Sequence, residues 1–184
     1  MARQRARPLK QSHSLEPPAM PQVILYQPEI PPNTGNVART CAATGTELHL
    51  VEPLGFSIDD RQLKRAGLDY WPLVPLSRHA DWSALQQERA ARGGRLIALS
   101  SHGAIPYNSF QFEADDWLLF GRETEGLPPS VRDQAQVCLT IPMARSSRAV
   151  PHGVRSLNLS VAVGVVLFES LRQLNLLTGA EPLS

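Results

Sequence analysis

Short apolar runs alternate along this chain with segments of helical period, and that alternation limits the fold more than any other feature. VILY at 23–26, ELHLVE at 47–52, RLIALSS at 95–101, DWLLFG at 116–121 and VCLTIP at 137–142 read as strands. Between them, 33–44, 59–67, 81–94 and 129–135 read as helices, and a long apolar face over 157–176 predicts the last one. Gly45, Gly67 and Gly94 stand where helices should stop, and Asp81 where one should start. Strands that are apolar without interruption are buried on both faces, so the pattern predicts an α/β fold with a mostly parallel sheet flanked by helices. No GxGxxG motif follows a strand and no Walker A sequence is present, which removes the ordinary dinucleotide- and ATP-binding folds.

The chain has 184 residues, enough for one domain with a real core. Residues 1–20 carry Arg3, Arg5, Arg7 and Lys10 against Glu16 alone, have no periodicity, and read as a disordered basic leader. The expected organisation is therefore leader 1–20, domain 21–178 and a disordered tail 179–184. No apolar run approaches the ~18 residues a membrane span needs, so the expectation is a soluble cytoplasmic protein. Cys41 and Cys138 fall in a helix and a strand with no ligand partner at short spacing, which suggests buried reduced thiols, with a disulfide between them as the lesser alternative. The five histidines are scattered, and no metal is expected. A net charge of +1 is small for a nucleic-acid binder, so RNA binding would rest on local patches such as Arg145, Arg148, His152 and Arg155.

Three constellations can carry chemistry. In NTGNVAR (33–39), Asn33, Asn36 and Arg39 recur every third residue at a helix start, with Asn33 suited to the N-cap. A guanidinium flanked by amides there suits a phosphate and a ribose hydroxyl, but an N-capped helix with an exposed arginine explains the same residues. In LLFGRETEGLP (118–128), a buried strand runs into Gly121 and then a tight charged loop with Glu123 and Glu125. Glycine there lets a ligand approach the backbone, and a solvated turn is the alternative. In RSLNLSVAV (155–163), Ser156 or Asn158 caps the last helix, by itself or beside a ligand.

Together, NTGNVAR, FGRETEGLP and RSLNLSVAV resemble the three motifs of the SPOUT superfamily of ribose 2′-O-methyltransferases. VILYQPEIPPNTGN, HLVEPLGFSIDDRQLKRAGLDYW and the IPM before RSLNLSVAV resemble its TrmL (YibK-like) branch, which methylates the tRNA wobble nucleotide. The likeness runs over roughly residues 22–175.

The resemblance implies a SPOUT-type fold with a deep C-terminal trefoil knot, a homodimer, and S-adenosylmethionine as cofactor. It implies the tRNA anticodon stem-loop as partner and the wobble cytidine or uridine (position 34) as substrate. Ribosomal RNA, another tRNA position, or a non-catalytic RNA-binding role are the alternatives; the absence of room for an added RNA-binding domain favours tRNA. By position, Leu99, Gly121, Ile141 and Ser156 match the cofactor-binding residues, and Arg39, Asn33, Glu123, Ser156 and Asn158 the catalytic set. Arg39 matches the proposed proton acceptor. A guanidinium keeps its proton to about pH 12 or above, so positioning and charge stabilisation come first. One departure stands out: the linker ARSSRAVPHGV (144–154) is several residues longer than in that branch, and is expected either to contact tRNA phosphates or to be a tolerated insertion.

Overall fold

The computed structural model describes residues 19–57, 73–144 and 156–177. The leader, the helix expected at 59–67, linker residues 145–154 with Arg155, and the tail lie outside them, apart from Ala19 and Met20 of the leader. The described strands are β1 (Gln22–Tyr26), β2 (Leu48–Val51), β3 (Leu76–His79), β4 (Leu96–Leu99), β5 (Ile105–Pro106), β6 (Trp117–Phe120) and β7 (Val137–Thr140). They form one sheet in the order β3-β2-β1-β6-β4-β7-β5, and every pairing is parallel. The helices are α1 (Pro31–Thr44), α2 (Trp82–Arg92), α3 (Pro129–Arg132) and α4 (Leu159–Gln173).

Strand side chains alternate between two cores, as the two-residue period requires. Val23, Leu25, Leu48, Leu50, Ile97, Leu99, Leu118 and Phe120 face α1 and α4, where Val37, Cys41, Val163 and Leu167 meet them. Ile24, Tyr26, Leu96, Ala98, Trp117 and Leu119 face the other way, onto Leu85 of α2 and Val131 of α3. Strands β2, β4 and β6 are buried at every position, which accounts for the uninterrupted apolar sequence of β4 and β6; in β2 (LHLV) the run is broken by His49, itself buried. The two edge strands carry no such run and were not expected. β3 is LSRH with only its last residue buried, and β5 has two residues.

Asn33 is not the N-cap of α1. The helix starts at Pro31, with Ile30 as N-cap and no capping side chain of its own, because Pro31 and Pro32 already hold the first-turn φ. Asn33 instead lies inside the first turn. α1 ends at Gly45 in the left-handed region (φ 69°). Asn158 caps α4, its Oδ1 accepting the Ser160 N–H at 2.9 Å. The helix expected at 129–135 narrows to one turn.

From β1 the chain moves through β2 to β3 at one edge, then crosses to β4, and β6 closes the gap beside β1. A parallel sheet built outward in two directions leaves a crevice at the carboxyl ends of the strands where the direction changes. The loops after β1, β4, β6 and β7 gather at that end.

Candidate active site

At that end lies a cavity of about 560 Å³, within the range of small-molecule sites. Leu99 closes β4, Gly121 follows β6, Ile141 follows β7, and Ser156 precedes α4; all four line it. So do Asn33, Glu123 and Asn158. Phe120, Leu127 and Leu159 add apolar wall, and Glu123 with Glu125 adds acidic groups. Of the residues matched to catalysis or cofactor binding, Arg39 is not part of its described lining, and neither is its neighbour Asn36.

The three motifs are joined by one line of hydrogen bonds. Asn33 Nδ2 donates to Glu123 Oε1 at 3.1 Å, and Asn158 Nδ2 donates to Asn33 Oδ1 at 2.9 Å. Asn158 Oδ1 then accepts from both the N–H and the hydroxyl of Ser160, at 2.9 and 2.8 Å. A carboxylate only accepts and a backbone N–H only donates, so both ends of the line fix which way each amide points. Glu123 supplies what α1 lacks. Its carboxylate accepts the N–H groups of Glu29 (2.8 Å) and Ile30 (3.3 Å), placing negative charge at the helix start, where the helix dipole favours it.

The turn that carries Glu123 is closed by paired backbone hydrogen bonds of 3.1 Å between Arg122 and Gly126. Gly126 has φ 71°, a conformation glycine adopts without strain. Gly121 lines the cavity, and the turn itself also requires a glycine there. A Cβ there would be driven into the Gly126 carbonyl carbon and the Leu127 nitrogen, so the chain itself fills the space. Arg122 is held by Gln27 through Nε (3.0 Å) and Nη2, pairs with Glu125 at 3.0 Å, and lies over the Tyr26 ring.

Asn33, Asn36 and Arg39 do not share one face. Each three-residue step falls about 60° short of a full helical turn, so six residues move a side chain well around the helix. Asn33 is accordingly buried beside the cavity, while Asn36 and Arg39 are exposed.

Sequence reasoning missed two groups. Gln27 and Glu29, in the loop after β1, grip the 122–124 turn; their only signal was position, polar residues at a strand end in the same segment as NTGNVAR. The histidines are also not all scattered. His49 and His79, on neighbouring strands, bring donor atoms within 4.8 Å of one another and of Glu88. Their rings share a 3.0 Å hydrogen bond, and His49 Nε2 faces Gln22 Oε1 at 3.2 Å. Burial pushes the His49 imidazole down to about 4, against the pull of Glu47. Both cysteines are unpaired, and burial pushes the Cys41 thiol up to about 12.

Comparison with known proteins agrees with this architecture. A tRNA (cytidine(34)-2′-O)-methyltransferase of Polaromonas is 50% identical over 152 residues, spanning 82% of this chain and 89% of the relative. A solved structure described as giving structural insights into 2-OH methylation of C/U34 on tRNA superposes with a TM-score of 0.78. It is 48% identical and is matched over 86% of this chain and 99% of its own. An AdoMet-bound rRNA methyltransferase from Sinorhizobium meliloti, 28% identical, superposes with a TM-score of 0.72 over 93% of this chain and 62% of its own. The model of the SpoU rRNA Methylase family matches residues 20–168, from just before β1 into α4, and this chain belongs to that family.

Proposed function

We infer that this chain transfers the methyl group of S-adenosylmethionine to the ribose 2′-hydroxyl of nucleotide 34 in tRNA. The observation that carries the reading is the joining of the three motif segments by Glu123, Asn33 and Asn158 at one cavity, in a chain half identical to a tRNA (cytidine(34)-2′-O)-methyltransferase. The cavity suits the cofactor. Leu99, Phe120, Leu127 and Ile141 offer apolar walls for a purine, and Glu123 and Glu125 suit a cationic sulfonium. When bound, the cofactor supplies an already activated methyl group. What remains for the protein is alignment, at about 3–3.5 Å between reacting atoms, and management of one proton.

Leu99, Gly121, Ile141 and Ser156 would hold the cofactor. Glu123, Asn33, Asn158 and Ser156 would order the polar side of the cavity. Arg39, exposed on α1, would meet the RNA, positioning phosphate and hydroxyl and stabilising charge that develops on oxygen. No metal is part of this reading. A homodimer is supported by the apolar stripe on α4, where Val161 and Phe168 are 50% and 46% exposed and Gly164 between them has open space above its Cα. A C-terminal knot belongs to the same reading, and the segments on either side of the linker meet at the cavity. The chain reaches the cavity at Ile141 and Met143 and lines it again at 156–159, beside the loops after β4 and β6. No described helix is long and apolar enough to cross a membrane.

The test is tritium transfer from labelled adenosylmethionine to bulk tRNA, followed by nucleotide mapping. Label at position 34 is expected; label elsewhere or none overturns the reading. Arg39→Ala should lower turnover by about 100-fold or more while cofactor affinity is kept, and turnover near wild type would remove Arg39 from the catalytic set.

A further inference from the structure

The turn 122–126 forms one wall of the cavity, and Thr124 lies at its tip. Glu29 does not line the cavity, yet both of its carboxylate oxygens are directed to this tip. They accept the Thr124 N–H at 3.1 Å and the Thr124 hydroxyl at 2.7 and 3.0 Å. In return, the Glu123 carboxylate accepts the backbone N–H groups of Glu29 and Ile30. Two consecutive residues of the turn and the loop after β1 thus exchange carboxylates. The Thr124 hydroxyl, with help from Arg122, holds the Glu29 carboxyl below its ordinary range, so it is charged at neutral pH.

Glu29 is itself anchored from behind. Gly55 N–H donates to the Pro28 carbonyl at 3.0 Å, and a Cβ on Gly55 would come within 2.8 Å of the Glu29 Cα. Gln27, at φ 48°, is gripped by Arg122 and donates through Nε2 to the Glu52 carbonyl at 3.3 Å. The loop after β1 is therefore backed by neighbouring chain, whereas the described contacts of the turn are its own Arg122–Gly126 pair, this loop, and Asn33 of α1 through Glu123.

We propose that Glu29 is a positioning residue for the methyl donor, acting through Thr124 to hold the turn 122–126 in the shape that walls the cavity. The proposal rests on the reading of that cavity as the adenosylmethionine site. It separates binding from chemistry. Truncating the Glu29 side chain leaves the Glu29 and Ile30 N–H groups in place, so Glu123 keeps its grip on α1 and the line to Asn33 and Asn158 survives.

Three measurements test it: amide exchange of 122–126 in the cofactor-free protein, adenosylmethionine affinity by calorimetry, and steady-state turnover on tRNA. In Glu29→Ala, exchange of the turn should rise, and Kd and KM for adenosylmethionine should rise about tenfold, the loss of a charge-assisted hydrogen bond. The kcat at saturating cofactor should stay within about twofold, since the line to Asn33 and Asn158 is kept. Glu29→Gln, which retains one acceptor, should fall between. Thr124→Val loses the hydroxyl bonds but keeps the N–H donor to Glu29, so it should shift exchange and affinity in the same direction by less than Glu29→Ala, and the double variant should be no worse than Glu29→Ala. Unchanged exchange and affinity in Glu29→Ala and Thr124→Val overturn the proposal, as does a fall in kcat with affinity intact. If Glu29→Ala fails to fold, Thr124→Val decides alone. Failure of the wild-type protein to bind adenosylmethionine defeats the functional reading instead, and the exchange data still judge the tether.

Discussion

At residue 121 a single methyl group has nowhere to go. The backbone of Gly126 and Leu127 occupies the place of a Cβ, and backbone cannot yield as a flexible side chain can. Gly121→Ala should cost about 1–3 kcal/mol through overpacking, read as a lowered urea midpoint, and should weaken adenosylmethionine binding because the displaced turn is a cavity wall. Asn33 shows the opposite limit of residue-level reading. Its type and place in NTGNVAR marked it as polar and near a helix start, and those features were legible. Its partners were not, because Glu123 and Asn158 lie 90 and 125 positions away in the chain. An amide cannot announce which distant groups will satisfy it.

Among the elements, the two long helices whose caps the sequence signalled make a controlled comparison. Asp81 caps α2 by accepting the Ala84 N–H at 2.8 Å, and Asn158 caps α4 in the same way. Replacing either with Ala should cost about 1 kcal/mol of stability in urea unfolding. Only Asn158→Ala should also lower turnover, by about tenfold or more, because it removes the partner of Asn33 as well as a cap. Equal turnover in the two variants would show that the Asn33–Asn158 contact serves stability alone. Strand legibility followed burial. β4 and β6 announce themselves as apolar runs because both of their faces are covered. β3 and β5 are sheet edges, where a strand needs little apolar sequence and leaves almost no periodic signal. The start of α1 was misplaced for a related reason: prolines open the helix, and the carboxylate that satisfies the N–H groups there comes from another loop.

For the whole molecule, stability should depend on pH in acid through the buried His49. Around it stand Glu47 and Gln22 at the start of the neighbouring chain segments, His79 on β3, Glu88 and Arg92 on α2, and the Trp117 ring. Its folded pKa, about 4, lies below the ordinary 6.5, so the unfolded chain takes up the proton more readily. Stability should therefore be full above about pH 6.5 and decline as pH falls towards 4, by on the order of 2 kcal/mol. Urea midpoints at pH 7.5 and 5 measure this, and His49→Gln should flatten the difference; an unchanged slope would place the acid sensitivity elsewhere. The association proposed for α4 belongs to this scale too. Phe168→Glu should shift the molecular mass in light scattering from dimer to monomer, and a monomeric wild-type protein would remove the proposal.

By itself the sequence determined the layered α/β plan, because the periods of burial in strands and helices are local properties written residue by residue. It also supplied the three motifs, because the residue types a site needs must be present whatever the fold. The tertiary structure alone decided that those motifs meet at one cavity, and that Glu123 caps a helix 90 residues before it in the chain. It also decided that Gly121 makes room for backbone and that two histidines on neighbouring strands share a hydrogen bond. Apart from the local contact of Gly121 with Gly126 and Leu127, each of these joins parts far apart in sequence. Such contacts follow from strand order and register, which no single segment encodes.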